Sequence, residues 1–398
     1  MERPKLRKLD RTVLRRGDEV LIVLRDPLGI SEPAAFPSEA AQVLDMLDGQ
    51  RTPAQIRQSL LLRGRMTLSL ADVQGLVDEL GTAGFLDDDH FRVLWDAARE
   101  EFMANEVRVP RFADVLYPGD RATLTAVLPR GFIANRQVIG VLLPYQPIEG
   151  GRVASLIAQT LRELPSPEQI DLVVLLGTDH HPGRLPFAIT ARSYGTPLGA
   201  VLTDAAMVAA IEQRLPWIRR EEMRHREALS LELAAVSLRC VYGEACPPIL
   251  PVLCGQTALG SGEDETATDA FLATMEHVLE GKRVLWWIAA ELSHAGPAFG
   301  RPRLSSEEVR ALRERDLGCL DSLCAGRPEQ FAQRCMEDEP QFGHPSGAAT
   351  MSTLARLLPV GYRAELIEYL TVRPPGPDEG WVGLVGMRFH APQLDEDE

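Results

Sequence analysis

Asp179, His180 and His181 stand together directly after an apolar run, and they are residue types that could do chemistry. The five residues Leu172 to Leu176 are all apolar or β-branched, the pattern of a strand buried on both faces, and Gly177 is expected to end it. The polar triplet then falls at the strand's carboxyl end, the edge where open α/β sheets bind ligands. Two imidazoles and a carboxylate at that edge could hold a metal ion or move protons. The same letters also fit an aspartate that caps the next turn beside two surface histidines, with His181 packed against the loop.

The arrangement recurs after other apolar runs. Tyr145 and Gln146 follow Val138–Leu143, Gln256 follows Pro248–Cys254, and Glu291 and His294 follow Val284–Ala290. Helical patterns fill the gaps, at Arg152–Leu164, Asp204–Leu215 and Asp269–Leu279. Strands alternating with helices predict an α/β domain with a mainly parallel sheet flanked by helices, its polar residues gathered at one edge. Glu149-Gly150-Gly151 is expected to open a helix, but its glycines lack the spacing of a phosphate-binding fingerprint. No G-x-S-x-G elbow supports hydrolase chemistry of that type. The remaining histidines read as bland: His225, in Arg224-His-Arg226, as a solvated helix face, and His90 and His277 as helix positions with no site nearby.

With 398 residues the chain has room for two or three domains. Its net charge of −15 leaves no excess of cations to neutralise phosphates, which argues against a general nucleic-acid binder. No run of 18 or more apolar residues spans a membrane, and Met1-Glu-Arg-Pro-Lys5 opens no signal peptide, so a cytoplasmic protein is expected. The six cysteines are scattered with no C-x-x-C and read as reduced thiols, mostly core fillers. Cys254, at a strand end, is expected to be buried and inert.

Residues 1–90 read as a separate small unit, 91–109 as a helical linker, 110–390 as the main domain and 391–398 as a disordered acidic tail. In the small unit a strand Val20–Leu24 follows Gly17-Asp18. Three helices follow. One starts at Pro37-Ser38 and stops at Asp48-Gly49, one is capped by Thr52 with Pro53 and Gln55, and one is capped by Ser69 with Asp72. Leu94, Trp95 and Phe102 are the anchors of the amphipathic linker His90–Asn105. Leu47-Asp-Gly-Gln-Arg-Thr-Pro53, Ile56 and Leu80-Gly-Thr-Ala-Gly-Phe-Leu86 resemble the PqqD-like winged-helix fold. That resemblance implies recognition of a leader peptide or another protein. DNA-binding winged helices share the helix spacing, but the third helix carries Asp72, Asp78 and Glu79 and no Lys or Arg. A helical cap on the main domain is the alternative.

The main domain is similar to the Memo family, which resembles the class III extradiol dioxygenases in fold and also occurs as protein B of the AmmeMemoRadiSam set. The carrying segments are Arg111-Phe-Ala-Asp-Val-Leu-Tyr-Pro118, Leu176-Gly-Thr-Asp-His-His181, Thr196-Pro-Leu-Gly199 with Asp204, Ser230-Leu-Glu232, Leu250-Pro-Val-Leu-Cys-Gly255 and Glu291-Leu-Ser-His294. The resemblance implies a metal site built from a His in P-H-A-G, the first His of S-H-H and a Cys in C-G-x-x-P. Here Tyr145 replaces the first His, His180 keeps the second, and Phe342 of Gln341-Phe-Gly-His-Pro345 stands at the Cys position. Leu229 and Glu291 replace a further His and Asp, and His294 is kept.

Two readings follow. With about three protein donors needed for a transition metal, the substitutions suggest a decayed site. The chain would then be a pseudoenzyme-like binding or adaptor protein, with Gln146, Asp179, His181 and Phe342 around its pocket. Alternatively, His180, Tyr145 as phenolate and His344 rebuild a centre for Fe, Zn or Cu, with His180, His294 and Glu291 as the catalytic groups of a dioxygenase-like or peptide-modifying enzyme. A third role is delivery of a leader peptide to a separate maturation enzyme.

Overall fold

A computed structural model describes residues 2–16, 19–62, 68–128, 130–148, 150–181, 183–260, 262–337, 342–374 and 379–393, without the side chains of residues 15 and 16. Gly17, Asp18, Glu149, Gln341 and the end of the acidic tail lie outside the described residues. The chain divides into two compact units, Met1–Asn105 and Glu106–Glu398.

The first unit opens with three antiparallel strands, Asp10–Arg16, Glu19–Arg25 and Ala34–Pro37, where the sequence suggested one. The first of the expected helices is shorter than its pattern, a 3-10 turn and then Ala41–Leu44. The next two are Pro53–Leu62 and Leu70–Thr82. Their caps are as expected. Thr52 Oγ1 accepts from Gln55 N while Gln55 Oε1 accepts from Thr52 N, and Ser69 and Asp72 make the same reciprocal pair. Val43, Ile56, Leu60, Val73, Val77 and Leu80 form the core with Phe36 and Phe85, while Leu61 points outward. The helix Asp89–Ala104, expected as a linker, falls within this unit. The Arg7 guanidinium lies 3.4 Å from the centroid of its Phe91 ring.

The second unit is built on one eight-stranded sheet. Its order is His294–Ala295, Trp381–His390, Val138–Leu143, Val284–Ala289, Leu172–Thr178, Ile249–Cys254 and Phe187–Ile189, with Arg363–Val372 hairpinned on Trp381–His390. The sheet is mixed, not mainly parallel. The four central strands are parallel and the outer four antiparallel. The C-terminal hairpin accounts for most of the difference. Arg363, Glu365 and Glu368 give its edge strand a charged pattern unlike the continuous apolar runs of the centre.

Alternate residues of each central strand enter opposite layers. Leu172, Val174 and Leu176 pack on one side with Phe271, Met275 and Met351, from the helices Glu263–Leu279 and Ala348–Leu357. Val173 and Leu175 pack on the other with Leu231 and Leu238 of the helix Leu229–Tyr242. Gly177 does not end its strand but continues it. A Cβ there would lie 2.6 Å from Leu231 Cγ and 2.7 Å from Ser230 Oγ, so the glycine lets the helix approach the backbone closely. The expected helix Arg152–Leu164 stops at Thr160, and Glu163–Leu164 forms a short strand. The helices expected at Asp204–Leu215 and Asp269–Leu279 run Ala205–Arg214 and Glu263–Leu279. No described helix is long and apolar enough to cross a membrane.

Candidate functional site

Three adjacent parallel strands end together, so Tyr145 and Gln146, Glu291, and Asp179 and His180 leave the sheet side by side at its carboxyl edge. Glu291 is fully buried and is the hub. It accepts from Tyr145 N at 3.2 Å and, through both oxygens, from Gln146 Nε2 at 2.9 Å. Its Oε2 lies 3.3 Å from His294 Nε2. His294 donates Nδ1–H to the Leu292 carbonyl at 3.0 Å, which in a neutral ring would aim a lone pair at the Glu291 carboxylate. Protonation removes that clash. Burial pulls the His294 pKa down, but the hydrogen bond and charge of Glu291 outweigh it and raise the pKa above its ordinary value.

Tyr145 is buried at the first of these strand ends. Burial, reinforced by the Glu291 charge, raises its pKa well above the ordinary tyrosine value, so the phenol stays protonated. It donates to His180 Nε2 at 2.8 Å, and its oxygen lies 3.2 Å from Ser346 Oγ. His180 is accessible to solvent. Desolvation, and the nearby His294, lower its pKa, so the neutral ring is favoured. Its Nε2 accepts from Tyr145, so the proton sits on Nδ1, and no protein group among the described residues takes it.

Asp179 does not face this cluster. It is buried, accepts from His181 N at 2.8 Å and Nδ1 at 2.7 Å, and forms an ion pair with Arg224 at 2.5 Å. Burial would raise its pKa, but the His181 hydrogen bonds and the Arg224 charge hold it at about 2. His181 is thereby turned onto its own loop. His344 is exposed and tied by Nδ1 to the Cys335 carbonyl at 3.0 Å. Phe342 sits in an apolar cluster with Ala295 and Leu312. Among the described residues no group of three or more His, Cys, Asp or Glu side chains is placed to hold a metal ion. All six cysteines are free, and burial pushes the Cys254 thiol up to about 12.

Two site residues escaped sequence reasoning. Ser346 has a weak signal, since Pro345-Ser-Gly347 directly precedes the apolar helix Ala348–Leu357. Arg224 has none, because a buried arginine looks like any surface one in sequence. The solvated face expected for Arg224-His-Arg226 is overturned. His225 is fully buried, Arg224 is nearly so, and Arg226 is only slightly exposed. The chain folds back so that Tyr194 donates to His225 Nδ1 at 2.8 Å and His225 Nε2 donates to the Ala188 carbonyl at 3.0 Å.

The loop carrying Ser346 is locked by Gly347, whose N donates to the Glu291 carbonyl at 2.8 Å. A Cβ on Gly347 would stand 2.6 Å from Ala290 Cβ and 2.7 Å from Glu291 O. Gly347→Ala is therefore expected to cost about 1–3 kcal/mol, read from urea midpoints, with a native-like value as the contrary result.

A sequence profile described as "Memo-like protein" matches residues 108–383. Over 305 residues the chain is 23% identical to a MEMO1 family protein of Aquifex aeolicus, covering 75% of this chain and 78% of that one. Over 286 residues it is 28% identical to one of Thermus thermophilus, covering 70% and 82%. One of Methanosarcina acetivorans is 27% identical over 271 residues, covering 66% and 91%. With the profile spanning most of the second unit and the sheet placing the motifs at one edge, the chain belongs to the Memo-like protein family.

Proposed function

We propose that this protein uses a degenerate metal-site pocket to bind a ligand without catalysis, and that residues 1–90 recognise a peptide or protein partner in an adaptor role. The observation that carries this reading is the Tyr145–His180 hydrogen bond. A protonated phenol occupies the His180 nitrogen nearest the cluster. Glu291 is spent on Gln146, Tyr145 N and His294, and Phe342 is apolar where a sulfur donor would be needed. These residues do not fit a transition metal's need for about three converging donors. They fit a polar ligand group that accepts from His180 Nδ1–H.

The test is the metal content of the full-length protein, purified without chelator and then incubated with Fe, Zn or Cu, for wild type and His180→Ala. Well under one metal per chain in both is expected. A near-stoichiometric metal that disappears in His180→Ala would overturn the reading. For the adaptor role, calorimetric titration of candidate leader peptides into the full-length protein should give binding. The absence of heat with every candidate counts against it.

One observation favours a second reading, a metal-dependent enzyme rebuilt around His180 and His294. The Glu291–His294 pair resembles an acid/base couple, and its charges act on His180. Turnover of a catechol-like or peptide substrate, abolished by His180→Ala, would establish it.

A further inference from the structure

The amino edge of the sheet carries a cavity of about 620 Å³, on the side opposite the cluster described above. That volume lies within the roughly 300–1,000 Å³ typical of small-molecule sites. Its floor is made where central strands begin, from Val138, Ile170, Val284 and Trp286. Leu279 and Leu357, the last residues of two flanking helices, close the sides.

Charge at the mouth narrows what could enter. Arg283 also lines the cavity, but its guanidinium is spent on Asp171, at 2.6 and 3.2 Å, and on the Glu168 carbonyl at 2.8 Å. Arg136 and Lys282 have no side-chain hydrogen bond or ion pair among the described residues. Lys282 is one of three lysines in the chain. Glu276 and Glu280 line the same cavity, so two carboxylates stand beside the two cations, of which Lys282 also acts electrostatically on the Asp171 carboxylate. A polyanion such as a nucleotide would be repelled by those carboxylates. A neutral apolar molecule would leave both cations unused. One anionic head on a hydrophobic body satisfies a cation and covers the Trp286 floor.

We propose that this amino-edge cavity is a binding site for an amphipathic monoanion, an aryl or alkyl carboxylate or sulfonate, with Arg136 and Lys282 taking the head group. The site is separate from the carboxyl-edge cluster and does not depend on the function proposed for it.

The test uses the full-length protein and 8-anilinonaphthalene-1-sulfonate as a fluorescent probe, with octanoate and octanol as competitors. Saturable one-to-one binding is expected, displaced by octanoate and not by octanol. The double variant R136Q/K282Q should bind at least about tenfold more weakly, the scale of one charge-assisted contact. Both residues are exposed, so that variant should fold normally. L357W should fill the cavity and block binding while circular dichroism stays native, and if it fails to fold the double variant decides. Unchanged affinity in R136Q/K282Q, equal displacement by octanol, absence of saturable binding, or loss of binding in H180Q would each overturn the proposal.

Discussion

Glu232→Ala is expected to destabilise the second unit by about 3–5 kcal/mol, the scale for breaking a buried ion pair by removing one partner. Glu232 is fully buried on the helix Leu229–Tyr242. Its carboxylate meets Arg108 Nη1 at 2.5 Å and accepts from Arg111 N at 2.9 Å, Phe112 N at 2.8 Å and Tyr117 Oη at 2.6 Å. One side chain thus ties the segment Arg111–Pro118 to the helix lying against the central strands. Removing it leaves Arg108, itself nearly inaccessible, as an unpaired buried cation. The melting temperature should fall by roughly 6–15 °C. Glu232→Gln keeps the shape and loses the charge, so it should recover only part of the loss. Calorimetry on both variants measures this, and a fall under about 2 °C for Glu232→Ala would show that the network contributes little.

Acid should destabilise this protein in a window set largely by His225. Burial, the dominant cause, lowers its pKa from 6.5 to about 3, against the opposing pull of its bond to Ala188 O and the Asp179 charge. In the unfolded chain the imidazole titrates near 6.5. Between about pH 6.5 and 3 the unfolded state therefore binds a proton that the folded state refuses. Stability is full above the unfolded value and declines as pH falls through this window, by up to roughly 5 kcal/mol from this one group. The geometry gives the same sign. Nδ1 accepts from the Tyr194 hydroxyl, so protonating it destroys an acceptor inside a closed core. His225→Gln cannot titrate. It should be less stable than wild type at pH 7 by about 1–3 kcal/mol through the lost hydrogen bonds, and the gap should close or reverse by pH 4. Urea midpoints from pH 7 to pH 4 would check this, and parallel profiles for the two proteins would rule His225 out as the cause.

Both residues show where local pattern stops informing. Val138–Leu143 was legible to the residue, because a strand buried on both faces must be apolar throughout. The caps at Thr52 and Ser69 were legible because a cap is a contact between residues three apart. The strand Arg363–Val372 was not, because an edge strand carries charges that protect it and so reads like a surface. The buried state of His225 was hidden for a related reason. Its flanking arginines suggest solvent, and the groups that pair with it and with Arg224, namely Tyr194, Ala188 and Asp179, lie 31, 37 and 45 residues away.

The four central strands and the polar residues at their ends were legible in the letters alone, and the motifs there resembled those of the family. The strands and their polar ends follow from composition at consecutive positions, which short-range chemistry suffices to specify, whereas the family followed from a resemblance of motifs. What those polar residues touch emerges only when the chain packs. Three adjacent central strands running parallel put Tyr145, Glu291 and His180 within reach of one another, and closure of the core around Tyr145 keeps its phenol protonated and bonded to His180. The fold-back of residues 219–228 turned Asp179 away from the cluster to neutralise Arg224. A side chain's charge state and partner depend on burial and on contacts across more than a hundred residues, and that information comes into existence only when the chain packs.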